Sequence, residues 1–255
     1  QRRLTPSVMP QPRSSAEMKK YILFDHDGVL VETEHWYYMA NVRALASLGI
    51  DLARDVYLAN MADGISSWEL ARAAGLPDSE IKRSRELRNR YYQEYLVSED
   101  IEIDGVLSTL TELSRTYLMG IVTTSKRADF LLIHERRSIL DYMEFYLTRE
   151  DYDQAKPHPE PYLAGLKRFG ASAAETVVIE DSARGLKSAV AAGIDCIVVA
   201  NDFTKGHDLS SAILKVDNFA DLPSAIEGLT SQSSRSYERR PKRQAATHSC
   251  GCLKR

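Results

Sequence analysis

The feature that most constrains this chain is a rhythm of short, unbroken apolar runs. Tyr21–Asp25, Leu118–Thr123, Phe145–Leu147, Thr176–Glu180 and Cys196–Ala200 are β-branched and continuous rather than alternating. Strands buried on both faces of a parallel sheet read this way, whereas half-exposed strands alternate. Leu214–Val216 adds a weaker edge candidate. Helical stretches fall between the runs at about 126–139, 159–169 and 183–192, the last stopped by Gly193. Such alternation predicts an α/β fold with a doubly wound parallel sheet. One interval breaks the rhythm. Between residues 32 and 103 there is no good strand, and four helical patterns occur instead, at roughly 35–48, 52–61, 66–74 and 78–97. The chain therefore divides into a core of 19–31 plus 104–229 and an inserted α-helical domain at 32–103.

Composition narrows the classes of function. The chain has 255 residues, 44% hydrophobic and 27% charged, ordinary values for a soluble globular protein with a sizeable core. No window holds 18 apolar residues, so no membrane span is expected. No apolar signal core follows the basic N-terminus, and a cytoplasmic location is expected. Cys196 sits alone in an apolar run, and Cys250 and Cys252 lie in a polar tail, which is no disulfide framework. The net charge of -3 conceals an asymmetry. Residues 1–20 carry five basic side chains against one acid, and residues 231–255 carry seven against one. The body between them is acidic and makes a poor nucleic-acid surface. Residues 1–18 read as a disordered extension and 230–255 as a basic disordered tail. The Arg/Lys cluster at 239–243 reads as solvated, and His248 with Cys250 and Cys252 is a weak metal pattern. A monomer is expected.

In open α/β sheets ligands bind beyond the C-terminal ends of the strands. The first candidate strand ends in Asp25-His26-Asp27-Gly28, and the second in Thr123-Thr124-Ser125-Lys126. Lys156-Pro157-His158-Pro159-Glu160 follows the third, and the fourth ends in Glu180-Asp181-Ser182. Taken singly, these are a solvated acidic turn, a strand-end hydroxyl, a surface lysine and a helix cap. Together they form a site. Two close carboxylates repel and lose hydration on burial, so they call for a cation. Oxygen ligands suit Mg²⁺, and a hydroxyl with an ammonium can grip phosphate oxygens.

As an ordered set, Asp25-His26-Asp27-Gly28-Val29-Leu30, Thr123, Lys156-Pro157-His158-Pro159-Glu160 and Val178-Ile179-Glu180-Asp181-Ser182 with Gly185 and Ala189–Gly193 resemble the haloacid dehalogenase-like hydrolase superfamily, in its phosphoglycolate phosphatase and β-phosphoglucomutase branch. The resemblance spans about 20–225 and implies a Rossmann-like core with a helical cap. It implies that Asp25 is the nucleophile and forms an aspartyl-phosphate. Asp27 would protonate the leaving oxygen and then deprotonate water, which requires a carboxyl whose pKa is raised by burial or neighbours. Mg²⁺ would be held by Asp25, the Asp27 backbone carbonyl and Asp181, with Glu180 supporting. Thr123, Thr124 and Lys156 would bind the phosphoryl group. Glu32 stands where many relatives have Asp, a mild departure.

Asp27 argues for phosphate esters, since the superfamily's dehalogenases lack this second aspartate. The implied substrate is a small phosphorylated metabolite, enclosed by a single cap that excludes water. The alternatives are a sugar phosphomutase and a catalytically silent binding protein on the same fold. β-Phosphoglucomutases place an arginine after a Gly-Val-Ser stretch and a histidine early in the first cap helix. Here Gly64-Ile65-Ser66-Ser67 puts Ser67 at the arginine's place, and Tyr37 falls where the histidine would, with His35 two residues away. A serine lacks the guanidinium's charge and fork, so hydrolysis is expected. His26 reads as a variable residue and His158 as structural. His35, Trp36, Tyr37 and Tyr38 read mainly as cap packing. Arg83, Arg85, Arg88 and Arg90 read mostly as a solvated helix face, although one pointing inward would bind a second anion.

Overall fold

Six parallel strands form one sheet: β1 (Tyr21–Phe24), β2 (Leu118–Val122), β3 (Phe145–Leu147), β4 (Thr176–Glu180), β5 (Asp195–Val199) and β6 (Leu214–Val216). Their order is β3-β2-β1-β4-β5-β6, so the chain reverses direction across the sheet at β1. This computed structural model describes residues 18–229. The tail readings, including 239–243, His248, Cys250 and Cys252, lie outside the described residues.

The continuous apolar runs follow from burial of both sheet faces. Successive strand side chains point to opposite faces, so Ile22 and Phe24 enter one core and Leu23 the other. The first face is covered by α5 (Val106–Leu113), α6 (Arg127–His134) and a helix at 222–229, through residues such as Leu110, Phe130, Ile133 and Ile226. The second is covered by α7 (Glu160–Phe169) and α8 (Ala183–Ala191), through Tyr162, Leu186 and Ala189.

The insert folds as α1 (Glu34–Ala46), α2 (Arg54–Asp63), α3 (Glu69–Ala73) and α4 (Asp78–Ser98). Its own apolar cluster includes Leu45, Leu52, Tyr57, Trp68, Ala71 and Ile81. The two connections to the core are tied where they meet, the Glu32 N–H donating to the Ile101 carbonyl at 2.9 Å. The long helix α4 serves both bodies: Ile81 packs in the cap cluster, whereas Tyr92 and Leu96 pack in the sheet core.

Three details differ from the sequence expectation. β5 begins and ends one residue earlier than Cys196–Ala200. The helix expected over 126–139 ends at His134 and gives way to a 3₁₀ turn at Ser138–Tyr142. Glu135, Arg136 and Arg137 offer no apolar side chain to continue its buried face. Helix α5 was not anticipated, because Ser108, Thr109 and Thr111 weaken its helical signal, yet Val106, Leu110 and Leu113 bury one face at helical spacing.

Gly165 on α7 allows the helix to lie close on the sheet. A Cβ there would stand 2.8 Å from Leu23 Cδ1 and 3.2 Å from Val122 Cγ2. Alanine in a helix interior gains roughly 1 kcal/mol over glycine, but overpacking a filled core costs about 1–3 kcal/mol. Leu23 is fully buried and has no free direction in which to move. Gly165→Ala is expected to lower the unfolding free energy by about 1 kcal/mol in urea titration. A gain in stability would show that the sheet yields at this contact.

Candidate active site

Asp25 follows β1 directly, and its N–H donates to the Ile179 carbonyl on β4 at 2.8 Å, carrying the ladder one residue past the strand. β1 is the switch point of the sheet, where loops leave in opposite directions and open a crevice. The chain then turns sharply. Gly28 has φ +76°, its N–H donates to the Val31 carbonyl, and the Leu30 N–H donates to the His26 carbonyl. A Cβ at Gly28 would run into Asp181 Oδ2, so glycine is required for the close approach as well as for the φ.

The Lys156 ammonium is buried at the centre of the site. Nζ lies 2.9 Å from Asp25 Oδ1 and 2.8 Å from Glu180 Oε1, and it also donates to the Val122 carbonyl and the Tyr162 hydroxyl, each at 2.9 Å. Tyr162 in turn donates to Glu180 Oε1 at 2.7 Å. Glu180 Oε2 accepts from the Asp181 and Ser182 N–H groups and from Ser182 Oγ. Glu180 is thus saturated with donors. Burial alone would raise its pKa, but the Lys156 charge and these hydrogen bonds hold it below the ordinary value. Lys156 is raised in return: burial disfavours its charge, and Asp25 and Glu180 more than compensate.

Asp25 is left short of positive charge. Burial, and then the Glu180 charge, push its pKa up to about 6 despite Lys156. Asp181 is raised well above its ordinary value by burial and by Glu180 and Asp25, against the Asn201 amide donating to its Oδ2 at 2.7 Å. Oxygens of Asp25, Glu180 and Asp181 all lie within 4.8 Å of one another. These hard oxygen donors, short of compensating positive charge, fit a divalent cation. Because Glu180 is already occupied by donors, Asp25 and Asp181 have the lone pairs to spare.

Asp27 behaves differently from the sequence expectation of a raised pKa. Its Oδ2 accepts from Ser125 Oγ at 2.5 Å and Thr123 Oγ1 at 3.2 Å, and its Oδ1 accepts from Thr33 Oγ1 at 2.5 Å. His26 Nδ1 lies 3.4 Å from Oδ2. Burial would raise the group, but His26, Ser125 and Thr33 together hold it well below the usual carboxylate range. The Asp27 carboxylate is occupied by these hydroxyl donors and is not among the carboxylates gathered in the acidic cluster.

The structure therefore brings Asp25, Asp27, Thr123, Lys156, Glu180 and Asp181 together. Thr124 lies beside them, its hydroxyl accepting from Arg184 at 3.4 Å. His158 stands apart and half-exposed, its Nδ1 accepting from the Glu160 N–H at 3.2 Å. His26 is more than a spacer: its ring is fully buried, with Nε2 at 2.9 Å from His134 Nε2. Sequence reasoning missed Tyr162, Asn201, Ser125, Thr33 and Glu34. Ser125 follows the same strand end as Thr123 and was open to the same argument. Glu34 opens α1, where burial and then the charges of Asp27, Glu32 and Asp25 push it up to about 8.

Comparison with known proteins agrees with this geometry. The family model of haloacid dehalogenase-like hydrolases matches residues 22–199. The chain is 29% identical over 213 residues to a phosphoglycolate phosphatase of Photorhabdus laumondii, covering 80% of this chain and 91% of the relative. It is 30% identical over 200 residues to a phosphorylated carbohydrates phosphatase of Thermotoga maritima, covering 75% and 90%. Among solved structures, β-phosphoglucomutase from Clostridium difficile superposes with a TM-score of 0.69 at 25% identity, over 86% of this chain and all of the other.

The charge balance has a pH signature. His134, lowered to about 3 by burial, contributes stability that grows as pH rises toward 6.5 and then levels off. Above that, the folded protein holds a proton on Glu34, pushed up to about 8, that the unfolded chain has already lost. Stability then falls as pH rises, by about 1.4 kcal/mol per pH unit until Glu34 ionises. In chelator, the melting temperature is expected to drop between pH 6.5 and 8.5, and a divalent cation should restore more of it at the higher pH. A flat profile untouched by divalent cations would contradict the account.

Proposed function

The chain belongs to the haloacid dehalogenase-like hydrolase family and is a phosphatase, and we propose that it uses Mg²⁺ and an aspartyl-phosphate on Asp25 to hydrolyse a small phosphorylated metabolite. The observation that carries this reading is the pairing of two unlike aspartates at one strand end. Asp25 faces Lys156 and the acidic cluster, and Asp27 faces hydroxyl donors.

Asp25, Asp181 and the Asp27 carbonyl would hold Mg²⁺, with Glu180 bracing Lys156 behind them. When bound, the ion supplies the positive charge that keeps Asp25 ionised and offsets its repulsion from the phosphate. Lys156 and Thr123 position the phosphoryl oxygens at the crevice and neutralise their charge. An Asp25 oxygen attacks phosphorus, the ester P–O bond breaks, and Asp27 gives a proton to the leaving oxygen. Asp27 then takes a proton from water as that water attacks the aspartyl-phosphate, releasing inorganic phosphate and restoring Asp25. Asp27 is held ionised before substrate arrives, as suits the base of the second step. A phosphate dianion placed beside it raises its pKa and readies it as the acid of the first.

The phosphomutase reading needs a second phosphate grip in the cap. Ser67 is buried and carries no charge, so the position at which β-phosphoglucomutases have an arginine provides none. Water attack on the phosphoryl-enzyme is the better supported outcome.

The test is phosphate release from a panel of sugar phosphates and phosphoglycolate, with Mg²⁺ and with excess chelator. Turnover is expected only with the metal, and Asp25→Asn should lower it by about 10³-fold or more while the variant stays folded. Full activity in chelator, or an active Asp25→Asn protein, would overturn the proposal.

A further inference from the structure

Two buried histidines stand behind Asp27, and the proposed mechanism uses neither. His26 is fully buried, and His134, on α6, is 7% exposed. Their Nε2 atoms are 2.9 Å apart. On the other side of its ring, His26 Nδ1 lies 3.4 Å from Asp27 Oδ2, the one carboxylate within 4.0 Å of either ring among the described residues. The contacts thus run in a line from Asp27 through His26 to His134. Phe130, one turn before His134 on α6, packs against both rings at centroid distances of 4.9 and 4.6 Å. The backbone of His26 is fixed as well, its carbonyl accepting from the Leu30 N–H at 2.8 Å. Two imidazoles cost more to bury than two apolar rings unless their polar atoms are used.

The contacts fix where the protons sit. His134 is held neutral, because burial, with His26 and Arg137 beside it, lowers its pKa to about 3. A neutral imidazole carries one N–H and one lone pair. His134 Nδ1 has no hydrogen-bond partner among the described residues. A proton there would be a buried, unpaired N–H, which proteins avoid more strictly than an unpaired acceptor. The proton therefore sits on His134 Nε2 and is donated to His26 Nε2. That atom then offers a lone pair, which leaves the proton of His26 on Nδ1, facing Asp27 Oδ2. The opposite assignment would set a lone pair against a carboxylate oxygen and orphan the His134 N–H. At 3.4 Å the Nδ1–Oδ2 contact is longer than a full hydrogen bond. What it supplies is an oriented N–H dipole, aimed at the oxygen that Ser125 and Thr123 also hold.

We infer that His134 is a positioning residue for the reaction: acting through His26, it fixes which nitrogen of that ring faces Asp27 and so holds the Asp27 carboxylate in place for its proton transfers. The inference rests on the phosphatase reading above and deepens it. Which nitrogen of an imidazole carries the proton is set by the hydrogen bond that the other nitrogen makes. A wrong tautomer beside a catalytic group costs orders of magnitude in rate even where the geometry is otherwise intact. Neither histidine touches the substrate or exchanges a proton with it. Asp27 alone does so, and the pair behind it keeps its carboxylate in one orientation.

The experiment has two arms, and the first needs no substrate. ¹⁵N NMR of the imidazole nitrogens is recorded on the intact labelled protein at neutral pH, with His26→Gln and His134→Gln used to assign the two rings. The expected spectrum has His26 protonated on Nδ1 alone and His134 on Nε2 alone. His26 protonated on Nε2 or on both nitrogens, or His134 protonated on Nδ1, would overturn the inference. The second arm measures kcat/KM with Mg²⁺, which covers the steps up to phosphoryl transfer and so involves Asp27 as acid. A sugar phosphate found active in the panel needs that acid, whereas p-nitrophenyl phosphate, whose leaving group departs as a stable anion, needs it little. His134→Phe keeps an aromatic ring and removes the donor. It is expected to lower kcat/KM by about tenfold to a hundredfold for the sugar phosphate, and by about threefold or less for p-nitrophenyl phosphate. His134→Gln, whose side-chain amide offers an N–H at similar reach, should recover most of the loss. An equal loss on both esters would show a merely structural role and overturn the inference, as would an unchanged His134→Phe protein. Where His134→Phe fails to fold, the wild-type spectrum decides. No phosphate release by the wild type from any ester would overturn the phosphatase reading itself, an outcome distinct from a contrary spectrum in an active enzyme.

Discussion

The site depends on one buried ammonium. Lys156 is surrounded by Asp25, Glu180, the Val122 carbonyl and Tyr162, and it touches all four within 3 Å. It joins the loop after β3 to the ends of β1, β2 and β4, so the strand ends converge around its charge. Removing a partner from a buried pair leaves an uncompensated charge and costs about 3–5 kcal/mol, which makes the arrangement rigid. Yet one cation does not balance this many acids. Glu180 takes most of its benefit, Asp25 is left at about 6, and Asp181 is raised well above its ordinary value. The fold thus sets a shortage of positive charge at the one point where β1 reverses the sheet order, which the proposed divalent cation would supply.

The same logic connects the cap to the chemistry. Asn201 donates to Asp181 Oδ2 and accepts from the Phe203 and Thr204 N–H groups. Phe203, a core-domain residue, is buried in the cap's apolar cluster near Tyr57. On the other side, Thr33 at the start of the insert donates to Asp27. Asp27 and Asp181 are therefore held in part by residues whose placement depends on how the cap sits.

Much of this was legible in the sequence because it lies at strand ends. Continuous apolar runs place the C-termini of parallel strands; Asp25, Thr123 and Glu180-Asp181 stand at those ends, and Lys156 lies in the connection after β3. Tyr162 and Asn201 were not legible, since what matters in each is a hydrogen bond set by packing across the sheet rather than by neighbours in the chain. Asp27 was legible in position but not in ionisation. Burial argued for a raised pKa, and His26 with the Ser125 and Thr33 hydroxyls reversed the sign. The burial of Arg88 on α4 was legible in principle. Ile81, Ser84, Arg88, Tyr92 and Leu96 recur at helical spacing, and that face would have singled out one arginine of the four.

Whether the phosphoryl group leaves as phosphate or moves to another position on the substrate, the account requires that it pass through Asp25. Of the other nucleophilic groups near the crevice, the His26 ring is sealed between Phe130 and His134, and Ser125 and Thr123 donate their hydroxyls to Asp27. The most direct measurement is rapid acid quenching during turnover of a substrate identified in the panel, followed by peptide mass spectrometry. The account predicts an acid-stable, hydroxylamine-sensitive phosphoryl group on the peptide and residue of Asp25, absent from Asp25→Asn. A phosphoryl group found on His26 or any other residue during productive turnover would contradict it.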